Sequence, residues 1–207
     1  MLGSQIWGVR LEEVIEIRWH GRGGQGAVLA SRIAAGAAFL EGKWSQAFPF
    51  FGAERRGAPV TAFTRIGNSP IRLRSQIYEP DILVLMDPMF LNMELAWRGV
   101  KPSTIVIANT PKAPEEIFLP VRVRRLACVD ATAISMDLNL KVAGLPVPNS
   151  PMVGALIKGT ALFSVESAER AIRDILRRAA DVNVEAMRRA YEETSVVEEP
   201  KVEESHA

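Results

Sequence analysis

The amino-acid sequence predicts an α/β fold built on a mostly parallel β-sheet. Three short and almost wholly apolar runs follow one another along the chain: PDILVLMDP, STIVIAN and RLACVDAT. Each run reaches an Asp, Asn or Thr and is followed by a helical or loop stretch. Continuous apolar runs of this length suit strands that are covered on both faces, with polar residues at their carboxyl ends. The 207 residues suffice for one sizeable core, so we expect one main domain.

The first predicted element is a strand that leads into a glycine-rich loop and then into a helix, within residues 13–39. The helical run, AVLASRIAAGAAF, is rich in Ala and Gly, which lets a helix approach a sheet closely. Gly36 costs helix stability in the interior of this run, so close packing is the expected reason for it. The loop itself consists of Gly21, Arg22, Gly23, Gly24, Gln25 and Gly26.

The next region predicts a β-hairpin. Two β-type runs in GAPVTAFTRIGNSPIRLRSQI, residues 57–77, flank the turn residues Gly67, Asn68, Ser69 and Pro70. Arginines alternate with apolar residues in the second run, which indicates that one face of the hairpin meets solvent.

The C-terminal third predicts helices and then a tail. NSPMVGALIKGTALF suits a helix, and VESAERAIRDILRRAADVNVEAMRRAYEET reads as one or two amphipathic helices. With helices on both faces, the sheet would form a Rossmann-like three-layer sandwich. The last stretch, SVVEEPKVEESHA, is acidic, contains Pro200 and has few core residues, so residues 195–207 are predicted to be a disordered tail.

The glycine loop has the spacing G-x-G-x-x-G, and two interpretations of it stay open. Between a strand and a helix, the spacing is typical of dinucleotide-binding proteins, in which the glycines allow a tight turn and the close approach of a phosphate. The helix N-terminus would supply free N–H groups, and Arg22 would add a cation beside the phosphate. The alternative is a tight turn whose glycines serve packing alone.

A dinucleotide enzyme also needs an acidic residue about 20 residues further on, at the end of the second strand, to bind the ribose hydroxyls. In KWSQAFPFFGAERRG the first acid is Glu54, which lies in a loop rich in Pro, Gly and Phe and precedes Arg55 and Arg56. A stand-alone NAD(P)-dependent dehydrogenase is therefore the less favoured hypothesis.

The stretch AFPFFGAERRGAP, residues 47–59, predicts an interface or a ligand-contacting loop. Its three phenylalanines, Phe48, Phe50 and Phe51, are costly to expose in a connection between elements. The simpler alternative is a rigid loop with a local Glu–Arg pair and solvated arginines.

The composition restricts cofactors, partners and location. The net charge of +1 gives no general attraction to nucleic acid or membranes, and no apolar run or leader pattern predicts a membrane helix or secretion, so we expect a cytoplasmic protein. The single cysteine, Cys128, cannot supply the roughly four thiolates of an iron–sulfur cluster, and we expect it to be a buried apolar side chain. Two histidines, His20 and His206, give no basis for a metal site.

The glycine loop and the FPFFG-ERRG stretch, in this order, closely resemble the gamma subunits of 2-oxoacid:ferredoxin oxidoreductases, in particular those for pyruvate and branched-chain 2-oxoacids. The matching stretches are IEIRWHGRGGQGAV, EGKWSQAFPFFGAERRGAPVTAFTRI, PIRLRSQIYEPDILVLMDP and GLPVPNSPMVGALIKGT. The resemblance covers residues 14–194, which we interpret as the gamma domain. Residues 1–13 are then an N-terminal extension and residues 195–207 the tail.

This resemblance implies a non-autonomous subunit of an oxidoreductase that converts pyruvate, coenzyme A and oxidised ferredoxin into acetyl-CoA, CO2 and reduced ferredoxin. It implies alpha, beta and delta subunits as partners, with ferredoxin contacted indirectly. Thiamine diphosphate, Mg and iron–sulfur clusters would lie on those partners, and this chain alone would hold no cofactor. In this family the gamma domain is thought to help close the site around coenzyme A.

The candidate residues for contact with coenzyme A or a partner are the six residues of the glycine loop together with Glu54, Arg55 and Arg56, since guanidinium groups suit phosphates and carboxylates. No catalytic residue and no metal ligand is predicted in this chain. The alternatives are a stand-alone NAD(P)-binding Rossmann dehydrogenase and a purely structural subunit. The FPFFG-ERRG stretch favours pyruvate or a branched-chain acid over 2-oxoglutarate, and the choice between those two substrates stays open.

Overall fold

The structure is a computed structural model that describes residues 14–50 and 57–203. Its strands are β1 (Ile15–Arg22), β2 (Trp44–Phe50), β3 (Pro59–Gly67), β4 (Ile82–Leu85), β5 (Ile105–Asn109), β6 (Arg125–Val129), β7 (Lys141–Val142), β8 (Leu145–Pro146) and β9 (Ser195–Glu198). Its helices are α1 (Ala27–Leu40), α2 (Glu94–Trp97), α3 (Ala131–Asp137), α4 (Asn149–Thr160), α5 (Val165–Leu176) and α6 (Ala180–Glu193). Short 3-10 helices span Pro88–Asn92, Pro114–Glu116 and Arg177–Ala179. The predicted N-terminal extension, residues 1–13, lies outside the described residues.

Seven strands form one sheet in the order β2–β3–β1–β4–β5–β6–β9. The central strands β1, β4, β5 and β6 are parallel, whereas β2 and β3 on one side and β9 on the other are antiparallel to their neighbours. The three apolar runs form β4, β5 and β6, every residue of which is buried. This confirms the predicted α/β fold with a mostly parallel sheet.

Helices cover the two faces of the sheet unequally. The long helices α1 and α4 pack on one face, where Ile82 and Val84 join the larger core, and α5 and α6 pack on α1 and α4. The alternate residues Leu83 and Leu85 face the opposite side and pack with Phe90 in the short helical segments of that side. Helices therefore lie on both faces, as predicted, and the last amphipathic region forms two helices, α5 and α6.

The hairpin predicted within residues 57–77 is not formed, and the structure has a hairpin of β2 and β3 instead. β3 pairs with β2, which includes residues 47–50 of the stretch predicted as a loop, and not with residues 70–77. The other edge of β3 pairs with β1, so no edge of β3 remains for the second predicted run. The backbone carbonyls of residues 71–75 instead accept hydrogen bonds from the side chains of Gln46 and Arg65.

The prediction of a disordered tail is wrong for residues 195–203. Ser195–Glu198 forms β9, antiparallel to β6, and Val202 forms a bridge with Leu119. Oε1 of Glu198 accepts a hydrogen bond from Nε of the buried Arg125 at 2.6 Å. A buried guanidinium needs an anionic partner, and Glu198 of the predicted tail provides the carboxylate that pairs with Arg125. Residues 204–207 lie outside the described residues.

Gly36 lies where α1 packs on α5. A Cβ atom added at Gly36 would lie 3.3 Å from the Cβ of Ala171, closer than most carbon contacts. The expected reason for this glycine, close packing, is confirmed, although its neighbour there is a helix rather than the sheet.

Candidate functional site

The glycine loop lies at the carboxyl edge of the parallel strands. Gly21 and Arg22 are still part of β1, and Gly26 directly precedes α1. Gly24 and Gly26 have φ angles of +100° and +81°, which residues with a side chain rarely adopt. A Cβ at Gly26 would also lie 3.0 Å from the Cβ of Asn149, the first residue of α4. The loop therefore brings the N-termini of α1 and α4 together.

The second glycine of the motif is bonded within the chain. The N–H of Gly23 donates to the carbonyl of Ala58 at 2.9 Å, and the N–H of Gly57 donates to the carbonyl of Gly23 at 3.2 Å. These two bonds fasten the loop to the residues before β3. In a dinucleotide-binding protein, a pyrophosphate approaches the backbone at the second glycine. Here the N–H and the carbonyl of that glycine, Gly23, are already hydrogen-bonded within the chain.

Arg22 and Gln25 of the loop converge on Asp87, two residues after β4. Nε and one Nη of Arg22 each lie 2.7 Å from Oδ2 of Asp87, and Nε2 of Gln25 donates to the same oxygen at 2.6 Å. The other carboxylate oxygen accepts the backbone N–H of Met89 at 3.1 Å. Asp87 is 7% exposed, and these donors stabilise its buried charge.

This cluster occupies the place where α/β sheets commonly bind ligands. The chain leaves β1 toward the face of α1 and leaves β4 toward the opposite face, so the connections diverge between these two neighbouring strands. The side chain of Arg22 is 46% exposed, so solvent reaches part of the guanidinium while Asp87 balances its charge. The cation predicted beside a phosphate is present, but it is already paired. Asp87 follows an apolar run that the sequence predicts as a strand, but no local pattern indicates its partners.

A cavity of about 480 Å³ opens beside the glycine loop. Its walls are the first turn of α1, Val60 of β3, the start of α4, β7 with the adjacent Leu140, Val147, and the junction between α5 and α6. The charged residues in the lining are Arg22 and Lys141, and none of the described residues that line it is acidic. Lys141 is exposed and belongs to none of the ion pairs found in residues 14–50 and 57–203. A cavity of this volume, with only positively charged residues among its charged lining residues, suits part of a phosphate-bearing organic molecule.

The geometry does not fit a dinucleotide site of the Rossmann type. In such a site, the strand after the first helix lies parallel to the first strand and brings an acidic residue to the ribose. Here the neighbour of β1 on that side is the antiparallel β3, which places its first residues, Pro59 and Val60, beside Arg22 and Gly21. The candidate residues Glu54, Arg55 and Arg56 lie outside the described residues, so their role stays a prediction.

His20 directly precedes the loop, and its imidazole is buried beside the ring of Phe90, with 5.6 Å between the ring centroids. Burial, together with the positive charge of Arg18, lowers the pKa of His20 to about 3. A general base works best with a pKa near the operating pH, so this imidazole does not qualify as one near neutral pH. No catalytic residue was predicted in this chain, and His20 gives no reason to add one.

The buried imidazole predicts a pH dependence of stability. Below pH 6.5 the unfolded chain binds a proton at His20, whereas the folded chain binds one only near pH 3, so acid favours unfolding. His20 alone should lower the free energy of unfolding by about 2 kcal/mol between roughly pH 7 and pH 5. Urea denaturation at pH 7 and pH 5 gives the free energy of unfolding that each protein loses between the two pH values. This loss should be about 2 kcal/mol smaller in His20→Gln than in the wild type. An equal loss in both proteins would contradict a buried, neutral His20.

The described residues do not fit a metal ion or an iron–sulfur cluster. Within residues 14–50 and 57–203, no group of three or more His, Cys, Asp or Glu side chains is arranged to hold a metal. Cys128 is buried, and burial together with the charge of Glu115 raises the pKa of its thiol to about 12. One protonated thiol cannot replace the roughly four thiolates of a cluster. In the same part of the chain, no helix combines the length and the apolar character needed to span a membrane.

Comparison with known proteins finds a family model and several relatives that match most of the chain. The model described as pyruvate ferredoxin/flavodoxin oxidoreductase matches residues 16–193. The pyruvate/ketoisovalerate oxidoreductases common subunit gamma of Pyrococcus furiosus is 53% identical over 188 residues, which cover 89% of this chain and 100% of the relative. The pyruvate synthase subunit PorC of Methanocaldococcus jannaschii is 46% identical over 181 residues, which cover 87% of this chain and 97% of the relative.

A solved structure agrees with these sequence matches. The crystal structure of pyruvate oxidoreductase subunit PORC from Thermotoga maritima is similar with a TM-score of 0.74 and 36% sequence identity. The similarity covers 89% of this chain and 99% of that chain. The seven-stranded sheet described above is therefore similar to that of a solved relative over nearly the relative's full length.

Proposed function

Because the chain belongs to the pyruvate ferredoxin/flavodoxin oxidoreductase family, we propose that it acts as the gamma subunit of a multi-subunit 2-oxoacid:ferredoxin oxidoreductase. The observation that carries this proposal is the 53% identity to a gamma chain over that chain's full length. The enzyme releases CO2 from pyruvate, transfers the acyl group to coenzyme A and passes two electrons to ferredoxin. The chain contributes to this reaction together with its partner subunits and not alone.

The choice of 2-oxoacid belongs to the partner subunits. The Pyrococcus relative is named as a subunit common to pyruvate and ketoisovalerate oxidoreductases. A subunit that serves two enzymes cannot by itself distinguish their substrates. Pyruvate is the main substrate in this proposal, in line with the names of the Methanocaldococcus and Thermotoga relatives. In this proposal thiamine diphosphate, Mg and the iron–sulfur clusters lie on the partners, in line with the absence of a metal-binding group of His, Cys, Asp or Glu side chains among the described residues.

We propose that the cavity beside the glycine loop binds part of coenzyme A, which carries phosphates and a long, partly apolar arm. Arg22 and Lys141 supply positive charge for a phosphate, and Val60 and Val147 supply apolar surface. Apart from Gly24 and its two neighbours in the chain, no described residue places an atom within 4 Å of the Cβ position of Gly24, so a ligand can reach the backbone there. These residues bind and orient one end of the coenzyme, and none of them exchanges a proton with substrate.

The subunit role is tested by purifying the tagged chain from its source organism without oxygen and identifying the co-purifying chains by mass spectrometry. We expect thiamine-binding and cysteine-rich partners in constant proportion, and coenzyme A-dependent ferredoxin reduction with pyruvate that the isolated chain lacks. A chain that purifies alone, or that oxidises pyruvate without partners, would overturn the proposal.

The contact with coenzyme A is tested by Lys141→Met in the assembled enzyme. A charge-assisted phosphate contact is worth about 1.5 to 3 kcal/mol, so the KM for coenzyme A should rise about tenfold or more while the KM for pyruvate stays unchanged. Arg22→Gln should have a smaller effect, because Asp87 already balances that charge. Steady-state kinetics with each substrate varied in turn measure both constants.

The matched control is Lys158→Met, which removes an exposed lysine near the other end of α4, above the ring of Tyr191. This control should leave both KM values unchanged. If Lys141→Met also leaves the KM for coenzyme A unchanged, the cavity does not bind the coenzyme, although the subunit role can still stand.

A further inference from the structure

The half of the sheet formed by β2, β3 and the start of β1 has a helix on one face only. α1 packs against β2 and β3 on that face. On the opposite face, the described part of the chain places no helix over these strands, and residues 71–75, here called the strap, cross it without regular secondary structure. This face therefore differs from the rest of the sheet in how it is covered.

The strap is anchored by side chains of the strands beneath it. Nε2 of Gln46 donates to the carbonyls of Ile71 and Leu73 at 3.3 and 3.2 Å. The guanidinium of Arg65 donates to the carbonyl of Ser75 at 2.8 Å and to that of Leu73 at 3.4 Å. Arg65 is 1% exposed, and its Nε also pairs with Glu16 at 2.7 Å. A buried guanidinium held in this way fixes the backbone of the strap in one position.

Because its carbonyls are held by the sheet, the strap presents side chains outward. Arg72, Leu73 and Arg74 are all exposed, and Leu73 is 51% exposed. Leu73 and Arg74 line a groove of about 280 Å³ together with Trp44, which is 52% exposed. Phe50 lies on the same face of β2 as Trp44, since residues an even number apart share a face, and it is 45% exposed.

This surface combines large apolar side chains with positive charge. Arg72 and Arg74 belong to none of the ion pairs found among the described residues. Trp and Arg are enriched in the contacts that dominate protein–protein binding, and Phe is enriched in such interfaces generally. A fixed backbone also lowers the entropy cost of binding, since less chain must be ordered in the complex.

We propose that the strap, together with Trp44 and Phe50 of β2, is the docking surface for a partner subunit of the oxidoreductase, whose contacting surface is apolar and bordered by carboxylates. The inference rests on the proposed function for the existence of that partner. Carboxylates on the partner pair with Arg72 and Arg74, and apolar side chains of the partner pack on the indole of Trp44.

A second copy of this chain fits the same surface poorly. A twofold dimer would bring the same patch of each copy together and would place Arg72 and Arg74 against identical arginines. Pairing of β2 with the β2 of another copy is also disfavoured, because Pro49 removes a backbone donor from this edge strand. The charge of the surface therefore favours a different, acidic partner.

The test uses the chain bound to the other purified subunits of the complex. The double substitution Arg72→Glu with Arg74→Glu should raise the Kd for those subunits about a hundredfold or more, because it places like charges across the contact. Trp44→Ala should raise the Kd about thirtyfold by removing an aromatic anchor. Biolayer interferometry measures each Kd, and the melting temperature of each free variant should stay close to that of the wild type, because the replaced side chains are exposed.

The matched control is Arg32→Glu with Arg170→Glu, which makes the same charge change at exposed arginines on α1 and α5. This control should change the Kd less than about threefold. If both double variants bind like the wild type, the docking surface lies elsewhere and the inference fails. If the wild-type chain itself binds no partner subunit, the proposed function fails instead. A wild-type homodimer that the strap substitutions dissociate would also overturn the inference, in favour of self-association.

Discussion

Replacing Gly154 with alanine should lower the free energy of unfolding by about 3 kcal/mol or more, because α4 and α6 pack backbone to backbone at this glycine. A Cβ added at Gly154 would lie 2.1 Å from the carbonyl oxygen of Met187 and 3.0 Å from the backbone nitrogen of Tyr191. Backbone atoms cannot move aside as the end of a flexible side chain can, so the two helices would have to separate. Urea denaturation followed by circular dichroism measures the change.

The matched control for this prediction is Gly36→Ala, at another glycine inside a helix. The added methyl group would meet only the Cβ of Ala171 at 3.3 Å and the end of Ile175 at 3.9 Å. Alanine also favours the helical backbone by up to about 1 kcal/mol over glycine, so the net change should lie within about 1 kcal/mol. If Gly154→Ala were as stable as Gly36→Ala, α4 and α6 would not pack backbone to backbone at Gly154 as described.

The second large effect is expected at Asp87, whose carboxylate holds the glycine loop. Asp87→Ala should cost about 3 kcal/mol, because it removes the acceptor of Arg22 and Gln25 and the cap of the segment that begins at Pro88. The exposed part of Arg22 can turn to water, which keeps the cost below that of a fully buried ion pair. Urea denaturation gives the loss of stability. Limited proteolysis should show faster cleavage within residues 21–26 in the variant.

The control for Asp87 is Asp137→Ala, which removes an aspartate that pairs with Arg189 at 3.0 Å on the protein surface. Both side chains of that pair are exposed, so its loss should cost less than about 1 kcal/mol. Similar losses in Asp87→Ala and Asp137→Ala would contradict the role of Asp87 as the acceptor that holds the loop.

The elements that the sequence predicted well are those whose signal is local. β4, β5 and β6 follow from continuous apolar runs, because a strand covered on both faces needs apolar side chains at every position. The strand, loop and helix around Gly21–Gly26 follow from the glycine spacing and the Ala-rich run after it. The close resemblance to a gamma subunit also rested on local motifs in a fixed order, and the family match confirms it.

The elements that the sequence misplaced depend on partners far along the chain. The alternating pattern of residues 70–77 suits both a hairpin strand and an anchored strap. The side chains of Arg65 and Gln46 hold residues 71–75 as a strap. Their hydrogen bonds join residues that are between 8 and 27 positions apart in the sequence. The tail looked disordered because of its acids, yet Glu198 pairs with Arg125, 73 positions earlier.

The candidate site divides in the same way. The sequence located the loop and its cation Arg22, because glycine spacing and charge are visible in the order of residues. The pairing of Arg22 with Asp87, and the meeting of Lys141 with the glycine loop in one cavity, came from the tertiary structure. The sequence by itself determined the α/β class, the position of the loop and the family. Tertiary structure alone decided which charges are paired and which surfaces stay open, because these depend on contacts between segments that no local pattern records.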